Sequence, residues 1–195
     1  MVSRAAVSLI DAPGTVESSW HAWPVLGELP AADITNWHST VVVAAHPDDE
    51  VLGVGGTMAL LAAAGARLRL VSVTDGEFSH GGRADPGALA ERRAAETAAA
   101  LRVLGAQDTE VIRLRLPDAG LAWRENEITA LLRDLTDGFD ACLAPWLRDA
   151  HADHEVAGRS ARRAREESLG YPIWMWHWAR PGDQRVPWHR AVRVP

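Results

Sequence analysis

The chain has 195 residues, of which 47% are hydrophobic and 24% charged, with a net charge of −6. That suits one soluble domain with a sizeable core. Every cation is arginine and there is no basic tail, which argues against nucleic acid or an anionic membrane as a partner. The one cysteine, Cys142, excludes an internal disulfide and fits a reducing compartment. It lies in the apolar run "DACLAPW", which reads as a buried strand with an inert thiol. The start of the chain has too short an apolar run for a signal peptide. No stretch approaches the ~20 apolar residues that span a bilayer. The expected location is cytoplasmic.

Residues 1–38 carry Pro13, Pro24 and Pro30 and lack periodicity. They read as an N-terminal extension packed on the domain through Trp20, Trp23 and Trp37, with the domain proper spanning 39–195. A regular alternation follows. The continuously apolar "TVVVAA" (40–45) predicts a strand buried on both faces. A helix is expected over 55–66, closed by Gly65, and a β-branched strand over 67–74. Pro86 and Gly105 bound a helix over 86–105. A strand over 109–116, a helix over 125–137, a strand over 139–146 and a helix over 154–168 come next. "YPIWMWHWA" (171–179) reads as a final strand, with Trp174, Trp176 and Trp178 on one face and Ile173, Met175 and His177 on the other. Strands alternating with helices predict an α/β fold: a single Rossmann-like, three-layer domain with a mostly parallel sheet. In such sheets the working site lies beyond the carboxyl ends of the strands. The polar clusters fall there: "HPDDE", "TDGE", "PDAG" and "LRDAHADH" each follow a strand.

In "AHPDDE", His46 and Asp49 stand three apart across a turn fixed by Pro47. Three adjacent carboxylates repel, and a cation relieves them. Imidazole with carboxylate suits zinc or another first-row divalent metal. The plainer reading is a solvated acidic turn with Asp49 capping the next helix. The second cluster, "HADH", sets His151, Asp153 and His154 at a helix entry. There a histidine is biased toward the neutral, ligand-competent form. Together the clusters supply three ligands and an open position, the arrangement of a catalytic metal site.

"AHPDDE" after the first strand, with "HxDH" about a hundred residues later, resembles the PIG-L/LmbE family of metal-dependent N-deacetylases. Their substrates are of the N-acetylglucosamine type. The resemblance covers roughly residues 40–160 and, more loosely, 171–194. It implies that His46, Asp49 and His154 hold Zn2+ (Fe2+ is the alternative) and that Asp48 is the base acting on the metal's water. It implies that His151 stabilises the oxyanion or protonates the leaving amine, with Asp153 orienting it. It further implies that Arg93 and Asp118 contact sugar hydroxyls, and it matches Thr74, Gly76 and Glu77 to "TxGE". Glu77 joins the expected substrate contacts. Arg93 and Glu96 also stand one helical turn apart, so an ordinary ion pair is the competing reading for Arg93.

The resemblance has two departures. Some members carry a tyrosine two residues before the first histidine of "HxDH"; here Asp149 stands there, read as adjusting the pKa of His151 or binding a polar substrate group. Relatives also continue past the segment matching "VPWHRAVRVP". Either this is a short member, or the N-terminal extension or a neighbouring subunit of a homo-oligomer completes the pocket. The glycine-rich segment 75–87 reads as a mobile lid or a plain surface loop, and His177 as a group that approaches the site. The expected partner is a small N-acetylated sugar. The rival readings are a non-catalytic nucleotide- or sugar-binding protein and an amidase for a non-sugar amide. Against the nucleotide reading, Gly53, Gly55 and Gly56 follow an acidic cluster that would repel a pyrophosphate.

Overall fold

The computed structural model describes residues 9–79 and 85–194. At its centre the β-branched run "STVVVA" forms β1 (Ser39–Ala44), which is buried at every position. Alternation then divides its side chains between two layers. Val41 and Val43 join Val71, Val73, Ile128, Leu132 and Val156 on one face of the sheet, and Val42 and Ala44 join Met58, Leu61, Leu70 and Leu101 on the other. Around β1 the sheet is five-stranded and all parallel, in the order β3-β2-β1-β4-β5. Its other strands are β2 (Arg67–Thr74), β3 (Glu110–Leu116), β4 (Ala141–Pro145) and β5 (Leu169–Tyr171).

Four longer helices cover the faces: α3 (Asp49–Ala63), α4 (Pro86–Val103), α5 (Glu125–Thr136) and α6 (Ala152–Ala164). Asp85 caps α4 by accepting from the N–H groups of Gly87 and Ala88. The helix α6 lies so close to the sheet that a Cβ on Gly158 would strike the carbonyl oxygen of Pro145. Two helices start earlier than their apolar pattern implies. α3 takes in Asp49 and Glu50, and α6 begins at Ala152, so His154 lies in its first turn. None of the helices is long and apolar enough to cross a membrane among the described residues.

The short helices α1 (Glu17–His21) and α2 (Val25–Glu28) precede the sheet. Trp20 is buried against Met175, Ala179 and Val186, and its Nε1 donates to the Trp176 carbonyl at 3.0 Å. The expected strand over 171–179 is a misreading. Only Leu169–Tyr171 pairs, and Met175–Trp178 is a turn of helix, α7. Pro172 offers no N–H to extend the ladder. The next three N–H groups, of Ile173, Trp174 and Met175, all donate to the Asp149 carboxylate. The tryptophans therefore do not alternate across a sheet.

Between β1 and β4 the chain direction across the sheet reverses. The first three strands run outward one way from β1, and β4 and β5 lie on the other side. A crevice at the carboxyl ends of strands is expected at that point.

Candidate active site

The loop after β1 is set by hydrogen bonds within the acidic motif. Asp48 has φ 105°, a left-handed conformation rare for a side-chain-bearing residue. Such a residue costs of order 1–3 kcal/mol and clusters at functional sites. Its N–H donates to Glu50 Oε2 at 3.1 Å, while its carbonyl accepts from Val51 and Leu52. The bend turns Asp49 inward, where it is 3% exposed. Asp49 Oδ2 accepts the His46 N–H at 2.9 Å.

From β4 and α6 comes the other half. His154 Nε2 lies 3.3 Å from Asp49 Oδ1, and His46 Nδ1 lies 3.7 Å from Asp49 Oδ2. One carboxylate thus stands between two imidazoles. Each ring turns its other nitrogen to a further carboxylate. His154 Nδ1 meets Asp149 Oδ2 at 2.8 Å. His46 Nε2 lies 3.3 Å from Asp118 Oδ1 and 3.4 Å from Asp153 Oδ2. Asp153 is held by the N–H groups of Ala119 and Leu121, and Asp118 by that of Phe78. The third ring, His151, has its centroid 4.6 Å from that of His154 and 4.9 Å from that of His46. It stacks on Trp174 at 6.5 Å, and its Nδ1 is buried without a partner among the described residues.

The charges follow from this packing. Burial opposes a proton on His46, but Asp118, Asp153 and Asp49 outweigh it and raise the ring to about 10. For His154 burial is likewise outweighed, by Asp149 and Asp49, and the ring rises to about 9. Burial and the two neighbouring imidazoles push His151 down. Burial also raises Asp48, against the pull of Arg93, and Asp49 adds to the rise. The cluster's carboxylates thus favour the protonated form of its two inner rings when no metal is bound. Its carboxylates call for positive charge that protons supply when no metal is present.

Several expected roles change. Asp153 makes no hydrogen bond to His151 among the described residues; it faces His46, because two backbone N–H groups hold its carboxylate there. Asp118 also faces His46, and Glu77 Oε1 accepts the Asp118 N–H at 3.0 Å. Arg93 does not pair with Glu96 among the described residues. It donates to the Pro47 carbonyl at 2.6 Å and to Asp48 Oδ2 at 2.7 Å. Its guanidinium lies over Gly76 (φ 65°), where a Cβ would come within 2.8 Å of Arg93 Nη1. Asp149 makes no hydrogen bond to His151 among the described residues; it is fully buried against His154. Sequence gives no direct signal for that, since the N–H groups sharing the carboxylate come from 24 residues or more away. His177 stays out of the site and bonds the Ala12 carbonyl. Of the segment 75–87, residues 80–84 lie outside the described residues, as does His80. A cavity of about 390 Å³ is walled instead by Trp146, Trp176 and Trp188, and none of the three histidines lines it.

Among the described residues, ligand atoms within 4.8 Å of one another define two groups that share His46: His46, His151 and His154, and His46, Asp118 and Asp153. Asp49 belongs to neither group: His154 Nε2 and His46 Nδ1 lie 3.3 and 3.7 Å from different oxygens of its carboxylate, spacings close to those of neighbouring donors around a small divalent ion. About 3.4 Å is expected for tetrahedral zinc with bonds near 2.0–2.1 Å. The donor set and the orphaned His151 Nδ1 fit such an ion.

An α/β fold with a histidine–aspartate centre at the topological switch point defines the class. Residues 41–165 match the family described as PIG-L, GlcNAc-PI de-N-acetylase, and the chain belongs to that family. It is 36% identical over 133 residues to a 1D-myo-inositol 2-acetamido-2-deoxy-alpha-D-glucopyranoside deacetylase of Kineococcus radiotolerans, covering 64% of this chain and 35% of that one. A deacetylase 2 of the same description from Catenulispora acidiphila is 33% identical over 153 residues, covering 65% and 50%. The chain thus spans between about a third and a half of these relatives. The N,N'-diacetylchitobiose deacetylase of Pyrococcus horikoshii shares the fold, with a TM-score of 0.59 at 24% identity over 79% of this chain and 60% of that one.

Proposed function

We propose that the protein is a metal-dependent deacetylase that removes the N-acetyl group from an N-acetylglucosamine-type sugar or sugar conjugate. His46, Asp49 and His154 hold a zinc ion, with ferrous iron as the alternative. The observation that carries this is the Asp49 carboxylate set between His154 Nε2 and His46 Nδ1, each ring backed by a second carboxylate. Relatives named as deacetylases of an acetamido sugar support the substrate class. In this reading the deacetylase domain begins at residue 39, and residues 9–38 form an extension packed on it. The substrate is a small molecule, and the protein works free of membrane and nucleic acid.

A metal held by His46, Asp49 and His154 would polarise the acyl carbonyl and lower the pKa of water to about 7. Asp48 accepts the proton of the attacking water. Burial raises its carboxyl above the ordinary range, which makes it a better base. Arg93, bonded to Asp48 and to the Pro47 carbonyl, fixes that carboxylate on a backbone turn already bent toward the site. His151 presents an unpaired Nδ1 and stands against both inner rings. Its lowered pKa makes its protonated form a strong donor to the leaving amine.

The test is acetate release from a panel of N-acetylglucosaminides, an inositol conjugate among them, by wild type and Asp48→Ala. A fall in kcat of about 10²-fold or more is expected. A variant with the wild-type rate removes Asp48 as the base.

A further inference from the structure

Asp149 is fully buried and pairs with no arginine among the described residues. Its carboxylate takes four hydrogen bonds. Oδ2 accepts from His154 Nδ1 at 2.8 Å and from the Trp174 N–H at 2.9 Å. Oδ1 accepts from the N–H groups of Ile173 at 3.0 Å and Met175 at 2.9 Å. An ionised carboxylate is an acceptor only, so the nitrogen facing it must carry a proton. That leaves Nε2 as the His154 nitrogen facing Asp49.

We propose that Asp149 is a positioning residue that fixes the tautomer and direction of His154 for metal binding while anchoring the 173–175 segment that sets Trp174 against His151. This rests on the metal reading above. One buried carboxylate then governs both a ligand and the aromatic wall behind the proton-bearing histidine. A metal-bound histidine whose second nitrogen is held by a carboxylate is a stiffer, more basic ligand. The remaining acceptor capacity goes to backbone N–H groups, so the carboxylate has no freedom to turn away.

The test compares zinc binding by wild type and Asp149→Asn, by competition with a chromophoric chelator, beside near-ultraviolet circular dichroism. Asparagine keeps the shape. Its least costly orientation leaves Oδ1 with Ile173 and Met175 and turns the NH2 toward His154 and Trp174. His154 Nδ1 must then accept, and the ring proton moves to Nε2. Zinc affinity is expected to fall about 10- to 100-fold, with the near-ultraviolet signal retained. Equal affinity in a folded variant overturns the proposal and leaves the metal reading standing. A wild type that binds no zinc overturns the metal reading and the proposal with it. Should the variant not fold, nitrogen-15 NMR of the zinc-loaded wild type decides. Nδ1 protonated and Nε2 ligating is the expected state of His154; ligation through Nδ1 contradicts the proposal.

Discussion

Glu50 carries the clearest pH signature at the scale of single residues. It is 1% exposed; one oxygen accepts the Asp48 N–H and the other has no partner among the described residues. Burial raises its carboxyl from 4.5 to about 7; backbone hydrogen bonds oppose this, and Asp49 and Asp48 reinforce it. The folded protein therefore holds this proton more tightly than the unfolded chain. The resulting penalty is absent below about 4.5, grows as the pH rises, and is complete above about 7. Glu50→Gln keeps an acceptor for the Asp48 N–H and removes the titration. In the metal-free protein, urea denaturation should show the variant gaining on wild type across that window, by about 3 kcal/mol at most. The difference should be level on either side. A difference that stays constant or shrinks would contradict this account. The same residue shows why part of the motif was opaque. "HPDDE" announces three acids at a strand end, but not that Glu50 holds the strained Asp48 turn from within.

Among the elements, α6 does most to place the site, because its first turn carries Asp153 and His154. Gly158 lets it approach β4. Alanine in a helix interior is ordinarily favoured over glycine by about 0.5–1 kcal/mol. Here the added methyl meets the Pro145 carbonyl and the Leu147 backbone, which cannot turn aside. Gly158→Ala should therefore lose about 1–3 kcal/mol in thermal denaturation, and a gain in stability would show that the contact yields. The four longer helices and the first four strands were legible from periodicity and from Pro86, Gly65 and Gly105. The last strand was not. "YPIWMWHWA" has strand composition, yet Pro172 and the distant Asp149 divert it into α7. That override is tertiary, and local pattern cannot reveal it. The early start of α6 matters more than its size suggests. A helix over 154–168 would leave Asp153 outside it as a cap; in the observed first turn its carboxylate reaches Ala119, Leu121 and His46.

On the scale of the whole molecule, the parallel sheet brings residues 46–49 and 149–154 together at the one point where strand order reverses. That convergence was legible in the sequence, because "AHPDDE" and "HADH" each end a strand and their spacing fits one sheet. The outer carboxylates were not. Which of Asp118, Asp149 and Asp153 meets which ring depends on loop geometry, including positive φ at Ala119 and Ala150, that residue type does not encode. The central claim is that this cluster makes the chain a metal-dependent N-deacetylase. Its most direct test is acetate release from an N-acetylglucosaminyl-inositol by three preparations: zinc-loaded protein, protein stripped by chelation, and stripped protein resupplied with zinc. Activity that is present with one zinc per chain, lost on stripping and restored on resupply is the predicted result. Full activity in the stripped protein, or none with zinc bound across the panel of N-acetylglucosaminides, would contradict the account.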